Sequence, residues 1–233
     1  MADLATVVRR NLAQVRERIE RAAAAAGRSA AEVRLVAVTK YASADVAREL
    51  VAAGCADLGE SRPQELWRKA AALSTLPVRW HLIGSLQRNK VARTLEHAWL
   101  IHSLDRLSLA EAIEAQSPDE RRVAVLLEIN ISGESNKHGA SPAEAEALLL
   151  AAARCRHLEV RGLMTMASRD GDLAVAGREF AALRALRDQL RRIAPPHVAL
   201  DELSMGMSGD FEVAIAEGAT IVRVGSALCE GLP

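Results

Sequence analysis

The chain has little lysine. Only four of its 30 basic residues are lysines, and one of them, Lys40, ends an apolar run that begins at Leu35. Arginine stays protonated in proteins, whereas a half-buried lysine can lose its proton and attack a carbonyl carbon. Lys40 is therefore a candidate Schiff-base lysine. Taken alone, its position is better explained by a strand-end lysine whose amine simply reaches solvent.

Cysteine is also scarce, and long apolar runs are missing. The three cysteines are odd in number, far apart and without a Cys-x-x-Cys pair, which argues against a disulfide framework or zinc site. The six histidines share no metal-type spacing, so we assign no metal. Charges interrupt every apolar run and the N-terminus lacks an apolar signal core, so we expect a cytoplasmic protein without a membrane segment.

The charges of the chain balance. Lys+Arg and Asp+Glu both total 30, so no overall field steers the protein toward nucleic acid or an anionic membrane. At 233 residues, half of them apolar, the chain could form one α/β barrel or two small domains. No linker rich in Gly, Ser or Pro divides it, so we expect a single domain over residues 1–233.

Short apolar runs alternate with amphipathic segments along the chain, which predicts βαβ units and a parallel sheet. The predicted strands are 35–39, 57–60, 79–83, 100–103, 123–129, 160–165, 202–205 and 220–224. The predicted helices between them are 43–53, 62–73, 87–96, 106–116, 141–154, 172–192 and 209–217. Eight strands favour a (β/α)8 TIM barrel over an open doubly wound sheet, which the same periodicity allows. Because little follows the eighth strand, we expect a helix within residues 1–26 to pack where a last barrel helix would lie.

The loops after predicted strands 7 and 8 resemble a phosphate site. Barrels of this kind often hold phosphate there. The first loop contains Ser208, Gly209 and Asp210 before a helical pattern, and the second contains Gly225 and Ser226. Ser208 or Asp210 is a natural N-cap, and a helix start attracts anions. Either loop alone is adequately explained as a cap or a turn, but the two together favour a phosphate site.

A lysine on strand 1 facing a phosphate site on strands 7 and 8 suits pyridoxal 5'-phosphate (PLP), because strands 8 and 1 are neighbours in a closed barrel. The aldehyde would join Lys40 as an internal aldimine, while Ser208, Gly225 and Ser226 hold the phosphate. Arg223 lies two residues before Gly225, at the level of the ring. Arginine can only donate hydrogen bonds, so a pyridine nitrogen facing Arg223 would stay unprotonated and the ring would be a weaker electron sink.

The chain resembles the pyridoxal phosphate homeostasis proteins (the YggS/PROSC group), which are similar to the barrel domain of alanine racemase standing alone. The resemblance runs almost end to end. It rests on residues 36–40, 58–65, 80–90, 129–132, 161–166, 203–210 and 222–226, together with Lys137 and Gly139.

The resemblance implies that Lys40 carries PLP covalently, that Ser208, Gly225 and Ser226 hold its phosphate, and that Arg223 contacts the pyridine nitrogen. It also suggests Met166 beside the ring, and His81, Asn89 and the Gly84 turn at the barrel mouth. Two departures are Ser61, where the family usually has Asn, and the tail 229–233, where it usually has an aromatic-Gly-x-Arg sequence.

The remaining lysines are interpreted in two ways. Lys90 and Lys137 fall in family blocks, and for each we weigh a role in holding or passing on PLP equally against solvent exposure. Lys69 is interpreted as a plain helix-surface charge. Tyr41, the only tyrosine, should face away from Lys40 as a strand neighbour, so it is not nominated as a base.

Function is predicted as a PLP-binding monomer that stores, buffers or delivers the cofactor, with cofactor-free PLP enzymes as possible recipients and no dedicated reaction. A racemase of alanine racemase type needs a second base from an added domain, for which this chain has no residues left. The alternatives are a PLP-dependent amino-acid racemase of loose specificity and, more weakly, a barrel that binds another phosphate compound with Lys40 as a charge partner.

Overall fold

A computed structural model describes residues 3–168 and 171–232, which form a closed barrel of eight parallel strands in sequential order. The strands are β1 (Arg34–Val38), β2 (Asp57–Glu60), β3 (Arg79–Leu82), β4 (Ala98–Leu104), β5 (Val123–Glu128), β6 (Leu158–Met164), β7 (Glu202–Ser204) and β8 (Ile221–Val224). β1 pairs with β8, with Ala37 opposite Val224. That pairing closes the sheet, so the barrel prediction is confirmed and the open sheet is excluded.

The helices cover the outside of the barrel. They are α1 (Leu4–Ala25), α2 (Ala44–Ala52), α3 (Pro63–Ala72), α4 (Val91–Leu95), α5 (Leu107–Gln116), α6 (Ala145–Arg154), α7 (Leu173–Arg191) and α8 (Phe211–Ala216). No helix within the described ranges combines the length and apolarity needed to cross a bilayer. The predicted domain of residues 1–233 includes Met1, Ala2, Arg169, Asp170 and Pro233, which lie outside the described residues.

The first helix packs between α2 and α8, on the side of the barrel where the chain ends. Its start is capped by Asp3, whose carboxylate accepts a hydrogen bond from the Thr6 amide at 2.7 Å. Its buried face carries residues at helical spacing: Val8, Leu12, Val15, Ile19 and Ala23. Asn11 on the same helix donates to the carbonyls of Leu228 (3.1 Å) and Glu230 (2.8 Å), which ties the C-terminal tail to α1.

The strands divide their apolar residues between two layers. Alternate side chains of a strand point to opposite faces, so Ala37 joins the large cluster between sheet and helices, whereas Val36 belongs to a second cluster inside the barrel. The other buried members of this inner cluster are Leu100, Ala124, Leu126, Met164 and Ile221. The inside of the barrel therefore holds this apolar cluster together with buried polar residues, among them His81, His102 and Arg223.

Candidate functional site

The loop after β7 turns sharply at a glycine. Gly206 has φ +93°, a conformation that favours glycine, and an added Cβ would lie 2.6 Å from the Cβ of Ala214. Its carbonyl accepts a hydrogen bond from the Arg223 amide at 2.9 Å. The loop is therefore held against β8, and the residues after Gly206 face the end of that strand.

Ser208 joins the two loops that the sequence singled out. Its hydroxyl oxygen accepts hydrogen bonds from the amides of Gly225 (3.1 Å) and Ala227 (3.4 Å). The capping role expected of Ser208 or Asp210 is not found. Asp210 occupies the N-cap position of α8, but its carboxylate accepts from the Met207 amide at 2.5 Å and makes no side-chain cap.

Several backbone amides of these loops have no partner. Among the residues that the structure describes, the N–H groups of Ser208, Gly209 and Ser226 make no hydrogen bond to protein. The Ser208 bridge brings the loops that carry them into direct contact. Unpaired amides grouped in this way donate readily to an anion, and a phosphate offers several acceptor oxygens.

Arg223 points from β8 into the barrel and is 4% exposed. Its Nη1 donates to the hydroxyl of Ser204 at 2.6 Å, and its Nη2 donates to the Thr165 carbonyl at 2.9 Å. Burial lowers the pKa of Arg223 to about 10, while Glu128 and Asp210 favour the charged form. The guanidinium is therefore a fixed, protonated donor at neutral pH.

Lys40 lies in the turn that follows β1, and its side chain is exposed rather than half-buried. Within the described ranges its amine forms no hydrogen bond or ion pair, and it lies 5.0 Å from the centroid of the Tyr41 ring. Tyr41 does not face away as expected, because β1 ends at Val38 and strand alternation no longer applies. The end of β1 lies against β8, since a Cβ added to Gly225 would be 3.3 Å from the Cβ of Val38.

Lys69 is not the surface charge that the sequence suggested. Its side chain is 1% exposed, and its amine donates to Glu60 Oε1 and to the Thr39 carbonyl, both at 2.5 Å. The Thr39 hydroxyl donates to the same Glu60 oxygen at 2.6 Å. The peptide group that precedes Lys40 is therefore anchored by a buried ion pair.

A sequence signal for this burial was available. Lys69 shares the helical spacing of Leu66, Ala70 and Leu73, which are all buried. The position therefore belongs to the inward face of α3, where a lysine needs an acidic partner.

The other two lysines differ from each other. The Lys137 amine lies 2.8 Å from a Glu134 carboxylate oxygen and donates to Ser132 Oγ (3.1 Å) and to the Ala167 carbonyl (3.0 Å). It thereby ties the loop after β5 to the loop after β6. Lys90 is partly exposed, and its amine forms no hydrogen bond or ion pair within the described ranges.

The three remaining candidate residues lie at different places. Met166 is partly buried and packs on the inner cluster. Asn89 is exposed and borders a hollow that it shares with Gln116 of α5. His81 is fully buried inside the barrel, so its place differs from the mouth-lining position that the resemblance suggests.

Glu128 is one of the buried acids that sequence reasoning missed. Glu128 ends β5, is 4% exposed, and lies where the charge of Arg223 acts on it. Burial raises the pKa of Glu128 to about 7, and the nearby Asp105 adds to this effect. A glutamate in the otherwise apolar run 123–129 was the signal that could have identified it.

Comparison with known proteins shows the family of the chain. The family model described as alanine racemase, N-terminal domain, matches residues 10–233. A pyridoxal phosphate homeostasis protein of Pseudomonas aeruginosa is 42% identical over 224 residues, covering 96% of this chain and 95% of the relative.

Solved structures show the same barrel fold over nearly the whole chain. PipY of Synechococcus elongatus, with PLP bound, superposes with a TM-score of 0.83 at 35% identity, covering 95% of this chain and 99% of PipY. Alanine racemase of Corynebacterium glutamicum shares the fold, with a TM-score of 0.74 at 16% identity over 98% of this chain and 64% of that enzyme.

Proposed function

Because the chain belongs to the family of pyridoxal phosphate homeostasis proteins, we propose that it binds PLP at the carboxyl end of the barrel and stores, buffers or delivers it. One observation carries the proposal. The Ser208 hydroxyl joins the loops after β7 and β8, and the unpaired amides of Ser208, Gly209 and Ser226 lie on those same loops.

The residues at this end fit the phosphate of PLP. Backbone N–H groups and the hydroxyls of Ser208 and Ser226 are suitable donors to an anion. Gly225 carries no side chain that would stand between the loop backbone and a ligand. The close approach of Gly225 to Val38 also puts this phosphate site beside the strand that leads to Lys40.

Lys40 is the lysine that we expect to hold the cofactor. PLP supplies an aldehyde, which condenses with a lysine amine to form a carbon–nitrogen double bond and release one water. The amines of Lys69 and Lys137 are held by Glu60 and Glu134, whereas the amine of Lys40 has no such acid partner among the described residues.

Arg223 is the residue that we expect to face the pyridine nitrogen of the PLP ring. A guanidinium has no acceptor atom, so a ring nitrogen facing it stays unprotonated. This lowers the capacity of the ring to accept electrons and favours a carrier over a catalyst.

The test compares two single variants. Purified protein loaded with PLP should absorb near 420 nm, roughly where PLP bound to a lysine absorbs, and borohydride should trap PLP on a peptide containing Lys40. Lys40→Ala should abolish both signals. Lys90→Ala is the matched control, because Lys90 is partly exposed and likewise forms no ion pair with the described residues, and it should retain both. Trapping on Lys90, or an unchanged spectrum in Lys40→Ala, would overturn the assignment.

The carrier role is tested separately from binding. After the loaded protein has been mixed with a cofactor-free PLP enzyme and the two proteins have been separated, the enzyme should be active and the carrier should have lost its absorbance near 420 nm, roughly as expected when one water hydrolyses the imine and the PLP aldehyde leaves. Incubation with L-alanine in D2O should leave the Cα hydrogen unexchanged. Rapid Cα deuteration would instead establish the racemase alternative. We propose a monomeric carrier, which sedimentation of the loaded protein can check.

A further inference from the structure

A continuous strip of polar side chains crosses the inside of the barrel. His81 Nε2 lies 2.9 Å from Asp57 Oδ1, and His81 Nδ1 lies 2.9 Å from His102 Nε2. His102 Nδ1 lies 2.9 Å from Ser204 Oγ, which accepts from Arg223 Nη1 at 2.6 Å. The five residues come from β2, β3, β4, β7 and β8, and none is more than 6% exposed.

At one end of this chain of hydrogen bonds, Asp57 can only accept. Burial alone would raise the pKa of Asp57, but hydrogen bonds from Arg79 and His81 hold it well below its usual range. Arg79 engages both carboxylate oxygens, at 2.8 and 2.6 Å. Asp57 is therefore a carboxylate, and His81 must donate to it from Nε2.

At the other end of the hydrogen-bond chain, Arg223 can only donate. Arg223 is a cation without an acceptor atom, so the Ser204 oxygen accepts from it. The Ser204 hydroxyl hydrogen is then available for the one neighbour that can accept it, which is Nδ1 of His102.

Both imidazole rings must be neutral for the chain to be complete. Burial lowers the pKa of His81. Asp57 acts in the opposite direction, and the charges of Arg34 and Arg79 lower the pKa further. Burial lowers the pKa of His102 further, with His81, Arg223 and Arg34 acting in the same direction. A neutral ring has one donor and one acceptor nitrogen, so each bond has one possible direction: Arg223 to Ser204 to His102 to His81 to Asp57.

We propose that His102 and Ser204 are positioning residues, which with His81 and Asp57 form a one-directional hydrogen-bond chain that fixes the guanidinium of Arg223. The inference rests on the proposed function, because the fixed guanidinium is the group assigned to the ring of PLP. This hydrogen-bond chain also gives a role to His81, which is buried inside the barrel and is connected to Arg223 only through His102 and Ser204.

Loss of the middle of the chain has a definite consequence. Without the Ser204 hydroxyl, one N–H of a buried cation and the Nδ1 of His102 both lose their partner. An unpaired buried donor on a charged group is strongly disfavoured, so the guanidinium would turn toward another acceptor. Glu128 and Asp210 are the nearby acids that could attract it.

The first test uses the unaltered, cofactor-free protein. Nitrogen-15 NMR of the imidazole rings at pH 7 should show His81 and His102 neutral, each with its proton on Nε2. His197, which is exposed, serves as an internal reference for a ring outside the barrel. A proton on Nδ1 of His102, or a doubly protonated ring, would overturn the proposed direction.

The second test removes the hydroxyl. Ser204→Ala should weaken PLP retention by about tenfold, consistent with an indirect effect of one charge-assisted hydrogen bond, and should change the absorption spectrum of the bound cofactor. Ser103→Ala is the matched control, since Ser103 is equally buried and its hydroxyl donates to the Gly84 carbonyl at 2.8 Å. Equal effects of the two variants on retention and spectrum would refute the positioning role.

Failure of this inference is distinguishable from failure of the proposed function. If borohydride still traps PLP on Lys40 while Ser204→Ala behaves as Ser103→Ala does, only the positioning role is wrong. If nothing is trapped in the unaltered protein, the proposed function is wrong, and the NMR experiment still decides the direction of the chain.

Discussion

The two ends of the barrel use polar groups in opposite ways. At the amino end, the ring of Trp99 is contacted by the guanidinium groups of Arg34, Arg79 and Arg161, at 5.0, 5.7 and 5.3 Å from its centroid. Each of these arginines is paired with a carboxylate, on Glu202, Asp57 and Glu159 respectively. At the carboxyl end, three loop amides and the amine of Lys40 have no hydrogen-bond partner among the described residues.

The difference separates stability from binding. Polar groups that are already satisfied add little affinity for a ligand, because a new contact must replace an existing one. Groups left unpaired at a partly exposed edge are available to an incoming anion. The amino end is therefore expected to respond to mutation through unfolding, and the carboxyl end through PLP retention.

The largest expected effect concerns an exception at the carboxyl end, the buried pair of Lys69 and Glu60. Lys69→Met should lower the free energy of unfolding by about 3–5 kcal/mol, because it leaves a buried carboxylate and the Thr39 carbonyl without their partner. Urea unfolding measures this. Lys90→Met, at a partly exposed lysine, should change it by less than about 0.5 kcal/mol. Adding Glu60→Gln to the Lys69 variant should recover part of the loss, and no recovery would contradict the ion-pair explanation.

A large effect on stability is also expected at the amino end of the barrel. Trp99→Ala should cost about 3 kcal/mol of unfolding free energy, as for other truncations of large packed aromatic residues. Its PLP retention, measured by equilibrium dialysis, should fall by no more than the factor of about ten (~1.4 kcal/mol) expected of Ser204→Ala, because Trp99 lies beside His81 and acts on the site only through the hydrogen-bond chain. The contrast between the ends fails if retention falls by as much as the free energy of unfolding does.

The third prediction is a pH dependence at Glu128. The pKa is raised from 4.5 to about 7 in the folded protein, so the native state binds the proton more tightly. This group's contribution to stability therefore falls as pH rises from about 4.5 to about 7. Glu128→Gln should be more stable than the unaltered protein by about 2 kcal/mol at pH 8, with a smaller difference at pH 5. Thermal unfolding at both pH values measures this, and Glu146→Gln, at an exposed glutamate, is the matched control.

The smallest effect on unfolding is expected at the loops after β7 and β8, where we propose that phosphate binds. Ser208→Ala should weaken PLP retention by roughly 1–3 kcal/mol through loss of a charge-assisted hydrogen bond, with little change in urea unfolding. Ser117→Ala is the control, because its hydroxyl donates to the Ile113 carbonyl on the outer layer. Unchanged PLP affinity in Ser208→Ala would show that the phosphate lies elsewhere.

Most of the fold could be predicted from periodicity, and the errors have local causes. The helix predicted over 141–154 begins only at Ala145, because the Glu144 carboxylate accepts from both the amide and the hydroxyl of Ser141 and holds a turn there. The helix predicted over 87–96 is α4 alone, preceded by a short 3-10 helix over Arg88–Lys90.

The residues of the candidate site could be brought together from the sequence only where they lie close to strand ends. Ser208, Gly225 and Ser226 stand next to strand ends, so strand order alone brings them together. The partnership of His81, His102 and Ser204 depends on barrel closure and on a register shift between Trp80 and His81, which periodicity does not contain. Lys69 was missed because its partner Glu60 lies on a different element, and Lys40 proved more exposed than its apolar strand suggested.

The bridge from the Ser208 hydroxyl to the amides of Gly225 and Ala227 is made entirely of protein groups. It fixes the mutual spacing of the two loops, so little ordering entropy would be lost when an anion binds at the proposed phosphate site. A site cross-linked in this way suits a protein that takes up and gives up the same cofactor many times.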